Sequence, residues 1–179
     1  MAIEGHWVGS YFQEFYPDTE RLKTKNEQNV FPIEAWFEQH GNDITGRMLD
    51  LRPERELPYD EFIKGNHFAN WLLRLRAKAF VAKHPDCLYR MCLAPESSLK
   101  GKVEGSRISF TKIYSWPSAN EYSIGGKVTT SWQGQNPPIE YVGELSEDGG
   151  VITGTYSFSG VPHLPQDPRA IQTFELQRA

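Results

Sequence analysis

The residue most capable of chemistry in this sequence is a lysine within an otherwise apolar row. Lys112 alternates with four apolar or aromatic residues, Ile108, Phe110, Tyr114 and Trp116. A β-strand would place all five side chains on one face, and the polar positions between them predict that this face points inward. A buried amine then requires a carboxylate partner, a ligand anion or access to water, because an unpaired charge is costly to desolvate.

Two roles for Lys112 follow from this placement. Loss of water would make the amine a better nucleophile or general base. Alternatively, the residue lies near an opening of the fold, and its long side chain carries the amine into solvent. The sequence favours the second role, because no other residues form a catalytic arrangement with Lys112.

Aromatic residues on other alternating segments are predicted to line the same interior. The alternation argument also selects Trp7 and Phe158 as lining residues. The predicted ligand-binding set is Tyr11, Trp36, Phe110, Lys112, Tyr114, Tyr141 and Tyr156. Phenol groups in an apolar interior need hydrogen-bond partners, which a ligand would supply. A packed aromatic core would satisfy them as well, and small β-barrels are often filled by their own side chains.

Motifs for other kinds of chemistry are missing from the sequence. It contains no glycine-rich phosphate loop, no HExxH or GxSxG motif and no paired-cysteine zinc motif. The five histidines are scattered, and the spacing of Cys87 and Cys92 is not that of a CxxC pair. We therefore predict no catalytic residues, no metal and no cofactor; enzymatic activity stays open but is not favoured.

Short alternating segments with repeated glycines run through most of the chain. Eight strands are predicted, at residues 5–15, 30–39, 44–51, 99–103, 107–116, 139–145, 151–158 and 170–177, with a ninth possible at 122–132. We interpret Gly41, Gly105 and the pair Gly149-Gly150 as turn residues between these strands. The pattern predicts a mainly β protein, an antiparallel up-and-down barrel whose first and last strands pair. An open sandwich of two sheets is the alternative.

Two short motifs resemble those of a known group of barrels. The chain opens with Gly5-x-Trp7-x-Gly9-x-Tyr11 and later carries Gly154-Thr155-Tyr156 at the end of an Ile-Thr-Gly strand. These motifs resemble the calycin barrels, the lipocalins and avidins. The resemblance implies that Trp7 plugs one end of the barrel and that the lumen holds a small ligand. It covers the strands and excludes residues 52–97, and no residues match a biotin-contact set.

Residues 52–97 interrupt the strand pattern and contain a predicted helix near 66–84. A broad apolar stripe follows helical spacing at Phe68, Trp71, Leu72, Leu75, Ala79 and Ala82, and a narrower one at Leu73, Ala77 and Phe80. We treat residues 1–179 as one barrel domain with this insertion. The helix packs against the barrel, covers its opening or docks an anionic partner, or lies on an anionic membrane surface.

Charge is distributed unevenly between the insertion and the strands. Residues 62–92 contain six lysines and arginines but only one acidic residue, Asp86, whereas the whole chain has a formal net charge of -4. The mildly acidic balance argues against a general nucleic-acid binder. No apolar run approaches the ~20 residues of a membrane span, and no basic start precedes an apolar stretch. We therefore predict a cytoplasmic protein with reduced thiols.

The leading function predicted from the sequence is binding of a small, partly apolar or amphipathic molecule in an aromatic lumen. Lys112 and the tyrosines would fix the polar end of that molecule. The alternative is a protein interaction module with a filled barrel. In that case a protein partner or a second copy of the chain would bind through residues 62–84.

Overall fold

The computed structural model describes residues 2–12, 30–51, 56–60, 71–92, 94–158 and 172–179. The chain divides into two compact units. The first consists of Met1–Arg52, Ala94–Ser115 and Asn136–Ala179, and the second of Pro53–Leu93 and Trp116–Gln135. The second unit is thus built from two separate stretches of chain, the inserted region and a later segment that contains the possible ninth strand at 122–132.

The first unit is a closed antiparallel barrel of eight strands. The strands are β1 (Gly5–Phe12), β2 (Val30–His40), β3 (Asp43–Asp50), β6 (Glu96–Glu104), β7 (Arg107–Tyr114), β10 (Ile139–Leu145), β11 (Val151–Phe158) and β12 (Thr173–Arg178). Their order around the barrel is β1-β12-β11-β10-β7-β6-β3-β2, and β1 pairs with both β12 and β2. The predicted barrel and the predicted pairing of its first and last strands are confirmed.

Alternation along each strand separates the barrel interior from its outer surface. In β10, Ile139, Tyr141 and Leu145 are buried, whereas Glu140 and Val142 between them are exposed. Trp7 is completely buried near the start of β1, where its indole nitrogen donates a hydrogen bond of 2.8 Å to the Ile3 carbonyl. The closed barrel is compatible with the calycin resemblance.

Several glycines of the repeated sequence pattern lie within strands rather than in turns. A Cβ atom at Gly154 of β11 would lie 2.2 Å from the carbonyl oxygen of Val142 and 2.5 Å from the Cα of Gly143. Only glycine permits this approach of neighbouring backbones. The turn predicted at Gly105 is confirmed by its φ of +66°, whereas Gly46 and Gly154 lie inside strands, within the ranges predicted for them.

The second unit contains a four-stranded antiparallel sheet and a helix. Its strands, β4 (Glu56–Pro58), β5 (Leu88–Cys92), β8 (Ala119–Ile124) and β9 (Lys127–Trp132), follow the order β4-β5-β8-β9, and α1 spans Trp71–Lys83. The possible ninth barrel strand at 122–132 is instead the β8–β9 hairpin of this sheet. The first part of the predicted helix and Phe68 lie outside the described residues, as do Phe15 and residues 170–171 of the predicted strands.

The helix packs through the narrower of its two predicted apolar stripes. Ala77 is buried, and the Phe80 ring meets the Tyr59 ring edge-to-face at 5.3 Å. Leu75, by contrast, is 53% exposed, and Ala79 and Ala82 are exposed as well. The broad stripe is therefore the exposed one at these residues, whereas Ala77 and Phe80 of the narrower stripe face the interior of the unit.

Candidate functional site

Lys112 lies inside the barrel, as its alternation with apolar neighbours predicts. It occupies β7 between Leu99 of β6 and Ile139 of β10, and its residue exposure is 0%. The alternative in which its amine reaches solvent is wrong, because the side chain is only 1% exposed. Two residues further on, Tyr114 ends the strand.

The partner of the buried amine is a carboxylate on another strand. The Lys112 Nζ lies 2.8 Å from both carboxylate oxygens of Asp50, whose side chain is 3% exposed. Asp50 is the last residue of β3 and follows the buried residues Ile44 and Met48 at two-residue spacing. The sequence analysis missed Asp50, although the same alternation argument applied to β3 identifies it as inward-facing.

Tyrosine rings surround this ion pair. The Lys112 Nζ lies 4.6 Å from the centroid of the Tyr114 ring and 5.9 Å from that of Tyr11. Tyr156 meets the Tyr11 ring edge-to-face at 5.6 Å and donates a hydrogen bond of 3.0 Å to the Phe12 carbonyl. A charged amine near aromatic rings is favoured by the ring quadrupoles, so the tyrosines partly replace the water that Lys112 has lost.

Tyr141 is a buried phenol of the aromatic core on which the charge of the ion pair acts. Burial raises the pKa of its phenol well above the usual value of 10, and the charge of Asp50 adds to that rise. Tyr11, Tyr114 and Tyr156 act on the phenol in the same direction. The Tyr141 hydroxyl therefore stays protonated and remains a hydrogen-bond donor across the ordinary pH range.

Six of the seven predicted site residues lie in this interior cluster, and one does not. Trp36 lies on the outer face of β2, because Ile33, Ala35 and Phe37 take the buried positions of that strand. Its ring stacks on His6 at 4.6 Å and lies 4.2 Å below the Arg47 guanidinium. The prediction that Trp36 faces the lumen is wrong. Alternation along β2 is consistent with this placement, since Phe31, Ile33, Ala35 and Phe37 form an apolar row, whereas Glu34 and Glu38 share the face of Trp36.

Trp116 also departs from the predicted row. The strand β7 ends at Tyr114, so the alternation that should have turned Trp116 inward stops before it. Trp116 is 62% exposed and belongs to the second unit.

Away from the ion pair, the aromatic rings of the barrel pack against one another. Phe110 stacks on Tyr141 at 4.7 Å, and Phe174 meets both rings edge-to-face at 6.0 and 5.1 Å. Phe37 approaches Phe110 from the other side at 5.4 Å. Phe31 and Phe158 are only partly buried and pack against this core. The middle of the barrel is thus filled by its own side chains, and its partly exposed rings lie beside Tyr11 and Tyr156.

The second unit contains a cavity of about 300 Å3. Its lining is Tyr59, Phe80, Tyr122, Ile124 and Thr129. Burial raises the pKa of the Tyr59 phenol, with a further contribution from Tyr122. The lining is mostly aromatic and offers a few hydroxyl groups, which is typical of a small-molecule pocket near the lower end of the usual size range.

Other kinds of site find little support in the described part of the chain. Among those residues, no three or more His, Cys, Asp or Glu side chains are grouped so that they could hold a metal ion. Cys87 and Cys92 are not joined in a disulfide. No helix within the described ranges is long and apolar enough to cross a membrane. Searches against protein-family models, curated proteins and solved structures find no match to this chain.

Proposed function

We propose that the barrel binds a small, amphipathic molecule whose polar end contacts the Lys112–Asp50 pair. The observation that carries this proposal is the burial of a full ion pair among tyrosines in an otherwise apolar core. A buried ion pair contributes little net stability, because desolvation of the two charges offsets their attraction. Its presence therefore calls for a role other than holding the barrel together.

The chemistry of the pair fits a ligand with both a polar and an apolar part. Both side chains are almost completely buried, so the ligand reaches them by displacing neighbouring rings such as Tyr11 and Tyr114. Lys112 then donates to an acceptor such as a carboxylate or carbonyl oxygen, and Asp50 accepts from a hydroxyl or amine. The apolar part of the ligand packs against the rings of Tyr11, Phe31 and Phe158, which lie toward the partly exposed end of the core. The stacked rings of Phe110 and Tyr141 limit how deep the ligand reaches.

Native mass spectrometry of the protein purified from its own host tests this proposal. Wild-type protein is expected to retain a bound small molecule, and the double variant Lys112→Met/Asp50→Leu is expected to lose it. Changing both partners together avoids an unpaired buried charge, so the barrel stays folded.

The matched control changes an ion pair on the outer surface of the same barrel. Arg47 and Glu96 lie 4.0 Å apart with half-exposed side chains, so Arg47→Met/Glu96→Gln should leave the bound molecule in place. Equal retention of the molecule by the wild type and by the Lys112→Met/Asp50→Leu variant would contradict the proposal. So would a wild-type protein that carries no small molecule under gentle conditions.

A protein interaction module is the second candidate function, and the exposed stripe of α1 favours it. Leu75, Ala79 and Ala82 present apolar surface on a helix whose other face is already packed. Native mass spectra of the same preparations would then contain a second protein chain, and Leu75→Glu would remove that chain. Persistence of the chain in the Leu75→Glu spectra would contradict binding through α1.

A further inference from the structure

The strand β9 forms one edge of the four-stranded sheet. Among the described residues it pairs with β8 alone, on one side, and all six of its residues, Lys127–Trp132, are exposed. An edge strand presents a row of backbone donors and acceptors that can pair with another strand. Proteins usually block such edges with proline, bulges or several charges, but β9 carries only one charged residue, Lys127, beside the turn.

The hairpin geometry identifies the backbone groups of β9 that point away from β8. Gly125 and Gly126 form a two-residue turn with φ values of +56° and +78°, closed by the pair Ile124 and Lys127. In such a hairpin the closing pair is hydrogen-bonded, and hydrogen-bonded pairs then alternate along the ladder. The backbone groups of Lys127, Thr129 and Ser131 therefore point to β8.

The remaining residues of β9 direct their backbone groups to the outer edge. These are Val128, Thr130 and Trp132. The same alternation predicts that the backbone N–H of Gln133 points toward the β8 side, as that of Ser131 does. It donates a hydrogen bond of 2.8 Å to the Ser118 carbonyl, in agreement with the prediction. The outward edge thus offers three donors and three acceptors, at every second residue.

The side chains of the same three residues share one face of the sheet. Val128 is 57% exposed and Trp132 is 67% exposed, with Thr130 between them. Thr129, on the opposite face, lines the aromatic cavity. The outward backbone groups and the exposed apolar side chains therefore belong to the same residues.

The outer edge of β9 is complementary to the same edge of a second copy of the chain. When two β9 strands run antiparallel across a two-fold axis at Thr130, each Thr130 faces its counterpart and each Val128 faces the other Trp132. All outward backbone groups of these residues then form hydrogen-bonded pairs. Valine opposite tryptophan is a favourable cross-strand pair, as is threonine opposite threonine. Lys127 lies opposite Gln133, so like charges do not meet.

We propose that two copies of this chain pair through β9 in this register and join their sheets into one continuous eight-stranded sheet. This inference is independent of the ligand proposed for the barrel. The contact is a single strand edge and is smaller than a standard protein interface, so the dimer is weak and its population depends on concentration.

Sedimentation velocity over a wide range of protein concentrations measures this association. Wild-type protein is expected to shift from monomer to dimer as its concentration rises. Thr130→Pro removes one outward N–H from each copy and no hydrogen bond to β8, and proline is tolerated on edge strands. It should raise the dissociation constant by about tenfold or more. Thr129→Ala, on the opposite face, is the matched control and should leave the constant unchanged.

A charge-pair rescue tests the register itself. Val128→Glu should weaken the dimer, whereas Val128→Glu/Trp132→Lys should restore it, because the proposed register brings each glutamate opposite a lysine. Hydrogen exchange adds a residue-specific measurement: the amides of Val128, Thr130 and Trp132 should gain protection with rising concentration. Circular dichroism confirms that each variant is folded.

Three results would overturn the proposal. The first is a wild-type protein that stays monomeric at the highest soluble concentration. The second is a dimer whose dissociation constant is unaffected by Thr130→Pro and Val128→Glu, which would assign it to another surface. The third is failure of the Val128→Glu/Trp132→Lys variant to recover association while remaining folded, which would exclude this register.

Discussion

The barrel and the four-stranded sheet satisfy their polar groups in opposite ways. The barrel closes on itself, so each of its eight strands has two neighbours, and the buried Lys112 finds a carboxylate inside the same core. The four-stranded sheet stays open, with the β9 edge, a cavity and large apolar side chains exposed to water. Because the barrel is closed, the backbone groups of its strands find their hydrogen-bond partners within the barrel. The open sheet instead leaves edge backbone groups with which a strand of another molecule can pair.

Two ion pairs show the same contrast at the level of side chains. Lys112 and Asp50 are almost completely buried, whereas Arg90 and Glu121 of the open sheet are 33% and 22% exposed. Hydrogen bonding from Arg90 lowers the pKa of Glu121, yet water still reaches both groups. Removal of one partner should therefore have very different consequences in the two units.

The largest expected effect is the loss of one member of the buried pair. Lys112→Met leaves Asp50 as an unpaired charge in the core, and the free energy of unfolding should fall by about 3–5 kcal/mol. Lys112→Met/Asp50→Leu should regain most of that loss. Urea denaturation of the single and double variants, beside Arg90→Met in the open sheet, measures the difference. A Lys112→Met protein no less stable than Arg90→Met would contradict the contrast between the two pairs.

The next effect concerns glycines in the two units. Gly154→Ala places a methyl group against the backbone of β10, so barrel strands must move apart, at a cost of about 1–3 kcal/mol or more. Gly126→Ala in the β8–β9 turn meets no atom within 4 Å, and only its positive φ opposes it; this costs about 1 kcal/mol.

Thermal unfolding of both glycine variants checks this order. The melting temperature should fall further for Gly154→Ala than for Gly126→Ala. A larger fall in melting temperature for Gly126→Ala would mean that the barrel strands move apart at a lower cost than their close packing implies.

The smallest effect at neutral pH comes from the buried phenols. Burial raises the pKa of Tyr89 in the sheet to about 12 and that of Tyr141 in the barrel well above 10. A raised pKa means that the folded state holds the proton more tightly, so this contribution to stability is complete below pH 10. It is lost as the pH rises from about 10 through the folded-state pKa.

Urea unfolding at pH 8 and at about pH 11 measures the alkaline loss. Tyr141→Phe has no proton to release, so its unfolding free energy should fall less between these two pH values than that of the wild type. The matched Tyr89→Phe variant reports the same quantity for the open sheet. An identical decline in the wild type and the Tyr141→Phe variant would show that the Tyr141 phenol does not contribute.

The barrel and most of its interior could be predicted from alternation alone. The inward-facing residues around Lys112, Tyr141 and Tyr156 are predicted correctly because each of their strands has one mostly polar face, which identifies the opposite face as the buried one. The prediction for Trp36 is wrong because it selected the residue for its aromatic ring, although Glu34 and Glu38 on the same face of β2 indicate the outer surface. Asp50 was missed because a single carboxylate at the end of a strand looks like a surface residue until its partner is known.

The second unit was beyond what local patterns could predict. Its sheet joins β5 to β8 across a long separation in the sequence, and neither strand alternates clearly. The helix offered two apolar stripes, and the choice between them depends on Tyr59, which meets Phe80 only in the folded unit. The need for glycine at Gly46 and Gly154 within predicted strands could not be foreseen, because close backbone approach leaves no mark in the sequence except glycine itself.

The pairing of β1 with β12 also determines when the barrel can form during synthesis. The strand β1 is synthesised before the other strands of the barrel, but its second neighbour, Thr173–Arg178, is made only after more than a hundred further residues. Until then β12 is missing from one edge of β1, and the late closure of so long a loop slows folding. We therefore expect the barrel to close only after β12 has been released.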